Sequence, residues 1–470
     1  MTVKNFLHYV QENAMPVKAP LDPAFVPAAA FDTAYQAGLT AENGLPVRIA
    51  IERSEGHIST FTTQCYADEK AYGALNCFYF ERVVKSLLWA YGGWRVIFGG
   101  PAYIGEMLQN AYTEKGLRAF DVDFMSNVYE RPFVVEVTAV ANVPVDVTGA
   151  KPIGRHLDGC RIGFDAGGSD RKVSAVIDGE AVYSEEVVWY PKLQSDPSYH
   201  YDGIVSAMKS AAAHMPRVDG IGVSSAGVYI SNRTMVASLF LKVPKELFNA
   251  QVKDIYLRAA KEIGNVPIEV ANDGDVTALA GAMDLEDNNV LGIAMGTSEA
   301  GGFVDGNGNI TGWLNELAFV PVAFEASAMV DEWSGDFGCG VKYFSQDAVA
   351  KLAPAAGILL EESLSPADKL KKVQALCVEG HEKALQIFDT IGVYLGYQVA
   401  YYARFYDLRH VLILGRVTSG EGGPRILAHA EEVLKTAYPA LATQITLHLP
   451  DESSRRVGQS IAAASLPVIG

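Results

Sequence analysis

The sequence predicts a fold of the α/β class, and three observations support this prediction. Apolar residues make up 49% of the chain and charged residues 20%, which is a globular composition. After residue 158, short apolar runs alternate with helical stretches, as they do in α/β domains. The helical stretches are 252–263 and 382–405, and the longer one is apolar enough for a core helix. The strand-like runs are 161–166, 173–177, 220–224, 268–270, 290–295 and 411–414.

The first 150 residues give a weaker pattern. Residues 47–51 and 58–61 predict a hairpin, and a helix at 81–91 and a strand at 94–98 follow it. Residues 48–52 resemble 161–165, and 94–100 resemble 410–416, which fits either a degenerate internal copy or chance similarity between two α/β stretches. Proline and glycine residues within 142–158 predict a linker before the later part.

Charge and cysteine content exclude several classes of protein. The formal net charge of −17 argues against nucleic acid or an anionic membrane surface as the main partner. The N-terminus lacks the uninterrupted apolar run of a signal peptide. The five cysteines are widely spaced without a CxxC pair, so neither a disulfide framework nor a cysteine-rich metal site is indicated. We therefore expect a cytoplasmic protein.

The first motif that could carry chemistry follows the strand at 161–166. The strand ends in Asp165, and Gly167, Gly168 and Ser169 form the turn to the next strand. Glycines let backbone N–H groups approach an anion closely, and a carboxylate can hold Mg²⁺ through water. An ordinary hairpin with a glycine-rich turn explains the same residues.

The second motif is Asn272-Asp273, where a strand runs into a helix of small residues. A carboxylate at the C-terminal end of a strand is well placed to act as a general base. An aspartate at this position can also be nothing more than the N-cap of the helix.

Two further glycine-rich turns follow later strands. One contains Gly296 and Thr297 and lies between two strand-like runs. The other follows the strand at 411–414 and contains Gly415, Gly420, Gly422 and Gly423. Neither matches the P-loop or the dinucleotide fingerprint, so each turn alone is weak support for nucleotide binding.

The order of the four motifs resembles that of the sugar kinase/Hsp70/actin superfamily. Residues 220–320 resemble ROK-type sugar kinases, glucokinases in particular: 222–229 match the Gly-x-x-x-Pro-Gly segment with Ala226 in place of proline, and 296–302 match the Gly-Thr-Gly-x-Gly-Gly hairpin. Residues 312–319 match Gly-x-x-Gly-Glu-x-Gly-His and keep Glu316. The resemblance runs from about residue 158 to the C-terminus.

This resemblance implies an actin-like ATPase fold, with two RNase H-like lobes around a cleft and an extra N-terminal α/β region. The expected domains are 1–155, of unassigned role, then 156–285 as the first lobe and 286–470 as the second. The C-terminal helix either returns to the first lobe or stays in the second. A homodimer is compatible with the sequence.

The resemblance also implies an ATP-dependent sugar kinase of the hexokinase/glucokinase type, with ATP and Mg²⁺ as cofactors and a small-molecule sugar as partner. Asp273 would be the general base, and Asp165 would position Mg²⁺ through water. Asn272, Asp273 and Glu316 would bind the sugar. The phosphates would lie at Gly167, Gly168, Ser169, Gly296 and Thr297, and the adenosine at Gly415, Gly420, Gly422 and Gly423.

Departures from the family pattern leave a second interpretation open. The family's zinc motif retains Cys339, but Glu332, Ser334 and Phe319 replace two cysteines and a histidine, so we predict no zinc site. Phe319 and Val341 also stand at sugar-contact positions of the family, which argues against glucose and for a less polar sugar. The alternative is a non-catalytic sugar- or nucleotide-binding member. A sugar-responsive repressor ranks third, because the N-terminal region is not basic.

Overall fold

A computed structural model describes residues 1–147, 153–450 and 452–469, the side chains of 452–457 excepted. Part of the predicted linker, residues 148–152, lies outside the described residues. No helix in the described ranges is both long and apolar enough to cross a membrane. The chain divides into two compact units. Unit 1 comprises Met1–Gly149, Ile293–Gly301 and Trp313–Leu449, and unit 2 comprises Ala150–Gly292, Gly302–Gly312 and Pro450–Gly470.

Fifteen α-helices are found in the described residues. They are α1 (Val3–Asn13), α2 (Ala28–Ala37), α3 (Glu69–Tyr91), α4 (Ala102–Ala111), α5 (Ala119–Tyr129), α6 (Pro197–Ala212), α7 (Lys245–Leu247), α8 (Ile255–Lys261), α9 (Asp273–Asp284), α10 (Gln346–Leu352), α11 (Pro366–Val378), α12 (Glu382–Tyr402), α13 (Gly422–Ala437), α14 (Pro439–Ala442) and α15 (Glu452–Ala464). The predicted helix at 252–263 is shorter than expected, because a π-helical turn, Phe248–Val252, precedes α8.

Fifteen strands are found in the same ranges. They are β1 (Gly44–Glu52), β2 (Ile58–Tyr66), β3 (Arg95–Gly99), β4 (Val134–Thr138), β5 (Cys160–Ala166), β6 (Asp170–Ile177), β7 (Glu180–Val188), β8 (Gly220–Ser225), β9 (Val228–Ile230), β10 (Arg233–Val236), β11 (Ile268–Asn272), β12 (Val290–Met295), β13 (Glu299–Val304), β14 (His410–Leu414) and β15 (Thr446–His448). All six strand-like runs predicted after residue 158 are strands.

Unit 2 contains a five-stranded sheet in the order β11-β8-β5-β6-β7. β5, β8 and β11 run parallel to one another, and β6 and β7 extend the sheet as antiparallel hairpin strands. Because parallel strands are covered on both faces, β5 and β8 are buried at every residue. The C-terminal helix α15 packs on β5 and β8, and Ser174 Oγ donates a 2.8 Å hydrogen bond to Ser460 Oγ.

The N-terminal region forms part of unit 1 and has its own sheet, in the order β2-β1-β3-β4. β1 pairs antiparallel with both β2 and β3, whereas β3 and β4 are parallel. By the predicted resemblance the counterparts of β1 and β3 are β5 and β14, which belong to different sheets, and the internal copy stays a prediction. A second four-stranded sheet has the order β13-β12-β14-β15.

Helix α3 begins twelve residues before the predicted start at 81. Asp68 caps it by accepting the N–H of Ala71 at 3.1 Å, a signal that the apolar periodicity alone does not contain. From Tyr79 to Tyr91 every residue of α3 is buried, the charged ones included. The long core helix α12 is likewise buried from Ile387 to Tyr402, as its apolar sequence predicts.

Candidate functional site

Asp165 lies near the C-terminal end of β5, the central strand of the unit 2 sheet. Ser224, on the adjacent strand β8, donates a hydrogen bond of 2.8 Å from its Oγ to Asp165 Oδ1. Burial raises the pKa of Asp165 to about 6; the Ser224 bond opposes the rise, and the nearby charge of Asp273 adds to it. A bound cation would stabilise the charged carboxylate, so Asp165 has the surroundings of a cation ligand.

Asn272 and Asp273 lie where β11 ends and α9 begins. Asn272 is the N-cap of α9, because its Oδ1 accepts the N–H of Gly274 at 2.7 Å. Its Nδ2 donates to the carbonyl oxygen of Gly227 at 2.7 Å, which fixes the side chain on both sides. Asp273 Oδ1 accepts the same Gly274 N–H at 3.0 Å. Asn272 therefore makes the shorter of the two capping bonds, and the cap of α9 does not depend on Asp273.

The surroundings of Asp273 favour proton transfer. Burial raises the pKa of its carboxyl group, while the N–H groups of Gly274 and of Asp273 itself, and the positive charge of Lys192, hold the pKa down. A carboxylate with a raised pKa is a stronger base than one in water. Asp273 thus combines an accessible position at the end of a strand with the basicity that a general base needs.

The turn between β5 and β6 leaves its backbone donors unused. Among the described residues, no acceptor receives a hydrogen bond from the N–H of Gly167, Gly168 or Ser169. The carbonyl groups of this turn are occupied instead: Trp189 donates from its indole Nε1 to Gly167 at 2.7 Å and from its backbone N–H to Ser169 at 3.1 Å. Adjacent free N–H groups at a turn are the usual donors to a phosphate.

A hydroxyl network that the sequence did not indicate lies beside Asp273. Tyr229 donates from its hydroxyl to Ser225 Oγ at 2.7 Å, and Ser225 Oγ lies 2.8 Å from the hydroxyl of Tyr256. Burial raises the pKa of Tyr229, and the negative charge of Asp273 adds to the rise. The signal for Tyr229 was present in the segment 222–229, but only the fold shows that its hydroxyl belongs to this group.

The predicted phosphate turn between β12 and β13 lies in unit 1. The N–H of Gly296 donates to the carbonyl of Ser298 at 3.0 Å, and the carbonyl of Gly296 accepts the N–H of Gln346 at 2.9 Å. These bonds close the turn and connect it to α10. The Thr297 side chain is exposed at the tip, where it can meet a ligand.

The late glycine-rich loop follows β14. Gly415 has a φ of 106°, and a Cβ atom there would lie 2.4 Å from the carbonyl oxygen of Met295, so only glycine fits where β14 leaves the sheet. Thr418 donates to the carbonyl of Gly415 from its backbone N–H at 3.1 Å and from its hydroxyl at 2.9 Å. Gly420 precedes α13, and Gly422 and Gly423 form its first turn.

The segment that carries Glu316 is attached to the N-terminal region. Three consecutive N–H groups donate to the last carbonyls of α3: Leu314 to Tyr91 at 3.2 Å, Asn315 to Ala90 at 3.0 Å and Glu316 to Trp89 at 3.1 Å. These bonds satisfy carbonyls that a helix end otherwise leaves unpaired. Helix α3 therefore sets the position of the predicted sugar-binding segment.

A second carboxyl group, missed in the sequence, lies close to Glu316. Glu299, in β13, is buried, and its Oε2 has no hydrogen-bond partner among the described groups. Burial raises the pKa of Glu299 to about 8; the hydrogen bond from Tyr402 opposes the rise, and the charge of Glu316 adds to it. At neutral pH Glu299 is therefore mostly protonated.

Comparison with protein families gives a match to the ROK family over residues 161–461. The chain belongs to the ROK family. This confirms the resemblance inferred from the motifs, and the matched range begins at β5 and ends within α15. The search of curated proteins finds no match.

Solved structures of ROK proteins are similar to this chain at low identity. A ROK family transcriptional regulator, a homologue of the E. coli MLC protein, has a TM-score of 0.50 at 16% identity, covering 78% of this chain and 89% of that chain. The ROK hexokinase from Thermus thermophilus has a TM-score of 0.49 at 18% identity, and the match covers 65% of this chain and 97% of the hexokinase. The ROK family glucokinase from Streptomyces griseus, in complex with glucose and AMPPNP, has a TM-score of 0.45 at 17% identity. That match covers 65% of this chain and 99% of the glucokinase. The predicted α/β class and its ROK-type fold are confirmed.

The loop that matches the ROK zinc motif does not fit a zinc ion. The thiol of Cys339 is buried, and burial raises its pKa to about 12, which disfavours the thiolate that zinc needs. The carboxylate of Asp336 is already engaged, by Arg82 at 3.1 and 3.2 Å, by Arg118 at 2.9 Å and by Lys85 at 3.4 Å. Nowhere in the described ranges do three or more His, Cys, Asp or Glu side chains form a group that could hold a metal ion.

Phe319 stands where the family pattern has a histidine, which belongs both to its zinc motif and to its sugar contacts. Phe319 is 4% exposed, and its ring centroid lies 4.3 Å from that of Trp89 and 5.5 Å from that of Phe120. Phe124 and Trp333 complete this aromatic cluster. The side chain at this position therefore has no group that could hydrogen-bond to a sugar, and the N-terminal region supplies most of the packing around it.

The predicted site residues fall into two groups. Unit 2 brings together Asp165, the turn 167–169 and the pair Asn272-Asp273, with Asp165 and Asp273 close enough for their charges to interact. Gly296, Thr297 and Glu316, together with the late loop 415–423, belong to unit 1. Lys192, Tyr229 and Glu299 were not predicted.

Proposed function

We propose that this ROK protein transfers the γ-phosphate of ATP to a hydroxyl group of a sugar. One observation carries the proposal: Asn272 accepts the capping N–H of α9, so the cap does not depend on the partly buried carboxylate of Asp273, whose pKa is raised by burial. In a family that contains both kinases and a transcriptional regulator, a retained base of this kind favours a catalytic member.

In the proposed mechanism Asp273 accepts the proton of the attacking sugar hydroxyl as the new phosphorus–oxygen bond forms. Asn272 would hold another hydroxyl group of the sugar. Phosphoryl transfer depends mainly on positioning and on neutralising charge, so a single base with well-placed donors is sufficient. The free N–H groups of the turn 167–169 supply such donors to a phosphate.

The carboxylate of Asp165 fits a magnesium ion. Mg²⁺ prefers oxygen ligands and keeps several of its waters, so one carboxylate such as Asp165 can hold it through water. When bound, Mg²⁺ would neutralise charge on the phosphates. Asp165 itself would orient the ion, and Ser224 keeps the carboxylate in place through the 2.8 Å bond.

The sugar proposed is less polar than glucose, for example a deoxy or N-acyl sugar. Phe319 and Val341 replace two hydrogen-bonding groups of the family, and a site without such groups binds poorly the hydroxyl that used them. A non-catalytic sugar- or nucleotide-binding role is the second candidate, and the burial of Phe319 in the aromatic cluster is the observation that favours it.

The test of the proposal is Asp273→Asn. Sugars are first screened by thermal shift with and without Mg·ATP, because a specific ligand stabilises the folded state by mass action. The variant keeps size and fold but cannot accept a proton, so we expect kcat to fall by about 10²- to 10⁴-fold with the melting temperature unchanged.

The matched control is Asp284→Asn, an exposed aspartate at the end of the same helix, which should keep the parent rate. An Asp273→Asn protein that melts like the parent and retains most of the kinase rate would refute the assignment of the base. Absence of ATP binding to the parent with every sugar would favour the non-catalytic candidate.

A further inference from the structure

The segment that follows β7 is fixed to the turn between β5 and β6. Trp189 provides the two hydrogen bonds to Gly167 and Ser169 described above. Two residues on, Pro191 is buried, and its carbonyl lies 3.0 Å from Nε2 of the buried His200. This segment therefore has a defined position relative to the turn.

Lys192 extends from this fixed segment over the turn. A Cβ atom placed on Gly168 would lie 3.1 Å from Lys192 Cε and 3.3 Å from Lys192 Nζ, so the lysine occupies the space that a side chain at Gly168 would need. Its positive charge reaches Asp273, where it lowers the pKa of the carboxyl group. The ammonium group thus lies next to the turn with the unused N–H groups and acts electrostatically on the proposed base.

Lys192 is an exposed cation without a counterion. Among the described residues, no ion pair and no hydrogen bond includes its ammonium group. The neighbouring lysines Lys172 and Lys209 are paired, with Asp170 at 3.3 Å and Glu262 at 3.6 Å respectively. The chain has 55 acidic and 38 basic side chains, so acidic partners for a lysine are plentiful. A lysine that is in no ion pair and lies beside the turn 167–169 is therefore available for an anionic ligand.

We propose that Lys192 binds a phosphate oxygen of the nucleotide at the turn 167–169. This inference rests on the proposed kinase function and adds to it a side-chain cation beside the backbone donors. It also explains how a strongly acidic chain can accept a polyanion there, since the ammonium offsets the charges of Asp165 and Asp273. Lysine commonly binds phosphate in this way, as a point charge.

The same lysine also affects the proton affinity of Asp273. The groups that face this carboxyl group are Asp165 from β5, Lys192, Tyr229 from β9 and Tyr256 from α8. Lys192 is the cation of the set. Its removal should therefore raise the pKa of Asp273, and the acid limb of the rate profile should move to higher pH.

The experiment compares Lys192→Met and Lys192→Arg with Lys209→Met, a control at an exposed lysine of the same unit. Calorimetry measures the Kd of Mg·AMPPNP, and kinetics give kcat/KM as a function of pH. We expect Lys192→Met to weaken nucleotide binding by about 10- to 100-fold, the usual value of a charged hydrogen bond, and to shift the acid limb upward. Lys192→Arg should retain most of the affinity, and Lys209→Met should match the parent.

The outcomes separate this inference from the proposed function. A parent that binds nucleotide and phosphorylates a sugar, with Lys192→Met equal to it in Kd and in pH profile, overturns the role of Lys192 and leaves the kinase intact. A parent that binds no nucleotide overturns both. Because Lys192 is exposed, the variants should melt like the parent, and a lowered melting temperature of Lys192→Met would indicate a structural role instead.

Discussion

At the scale of the residue, two carboxyl groups of unit 2 share raised pKa values for the same physical reason. Asp165 and Asp273 both lose hydration at the ends of buried strands, and each is partly compensated by a hydrogen-bond donor, Ser224 or Gly274. Such burial is unfavourable for folding, because the charged carboxylate is less stable there than in water. Carboxyl groups with pKa values raised in this way are frequent at functional sites.

This cost gives a prediction for Asp165→Asn. The pKa of Asp165 is raised to about 6 in the folded state from an ordinary value near 3.8, so its contribution to stability falls as pH rises from about 4 to 6. Above that range the charge costs at most about 3 kcal/mol. The variant should therefore unfold at higher temperature than the parent at pH 7, with little difference at pH 4, and should lose affinity for Mg·AMPPNP.

Thermal unfolding at several pH values and calorimetry test this prediction, with Asp202→Asn, at an exposed position in α6, as the control. Equal stability of parent and variant at pH 7, or unchanged Mg·AMPPNP binding, would argue against Asp165 as a buried cation ligand.

At the scale of the element, helix α3 links the N-terminal region to loops of the ROK part within unit 1. Its last carbonyls hold the segment 314–316, and its Trp89 packs against Phe319. Its charged residues Glu81, Arg82 and Lys85 pair with Arg118 and Asp121 of the N-terminal region and with Asp336 of the loop that matches the zinc motif. The charged side chains of α3 therefore fix the loop that carries Asp336 to the N-terminal region.

The prediction at this scale is that Lys85→Met strongly destabilises the protein. Lys85 Nζ contacts Asp121 at 3.1 Å and Asp336 at 3.4 Å, and all three side chains are buried. Loss of one partner from such a cluster leaves uncompensated charge and costs about 3 to 5 kcal/mol. Denaturant unfolding should show this loss.

Two further variants make that measurement specific. Lys70→Met, at an exposed position in the first turn of α3, should change stability by less than about 0.5 kcal/mol. The double variant Lys85→Met/Asp121→Asn should recover part of the loss, since it removes one of the unpaired charges. A Lys85→Met protein as stable as Lys70→Met would show that the cluster does not hold the loop.

At the scale of the whole molecule, the ROK match covers residues 161–461, and the preceding region belongs to the same compact unit as residues 313–449. The predicted division into 1–155, 156–285 and 286–470 stays a prediction. What the structure adds is that the N-terminal region contacts two loops of the ROK part, the segment 314–316 and the loop that carries Asp336.

This view predicts the metal content of the purified protein. Zinc should be substoichiometric by elemental analysis, because Asp336 is neutralised by three cations and Cys339 lacks thiolate and imidazole partners. A strong chelator should leave the melting temperature unchanged. One tightly held zinc per chain, or a fall in melting temperature on chelation, would contradict the proposed replacement.

The features that could be predicted from the sequence are those that depend on residues close together in the chain. Apolar runs located the strands after residue 158, because a buried parallel strand needs continuous apolar residues. Motifs at the strand ends predicted the family, which the comparison confirms, and gave Asp165, Asn272 and Asp273 as candidate site residues, because glycine turns and strand-end carboxylates are contiguous in the chain. The sequence does not show whether Asn272 or Asp273 caps the helix, and the structure shows that the Gly274 N–H donates to Asn272 at 2.7 Å and to Asp273 at 3.0 Å.

Contacts between residues that are distant in the chain could be found only in the fold. Lys192 lies 24 positions after Gly168, and nothing in its local sequence distinguishes it from a surface lysine until Trp189 anchors the segment to the turn. The sequence did not predict the buried ion pairs of α3 either. Its charged residues can be buried because they pair with partners such as Asp336, which is about 250 residues away in the chain. Local pattern fixes secondary structure, whereas charge compensation and proton affinity depend on neighbours that the fold supplies.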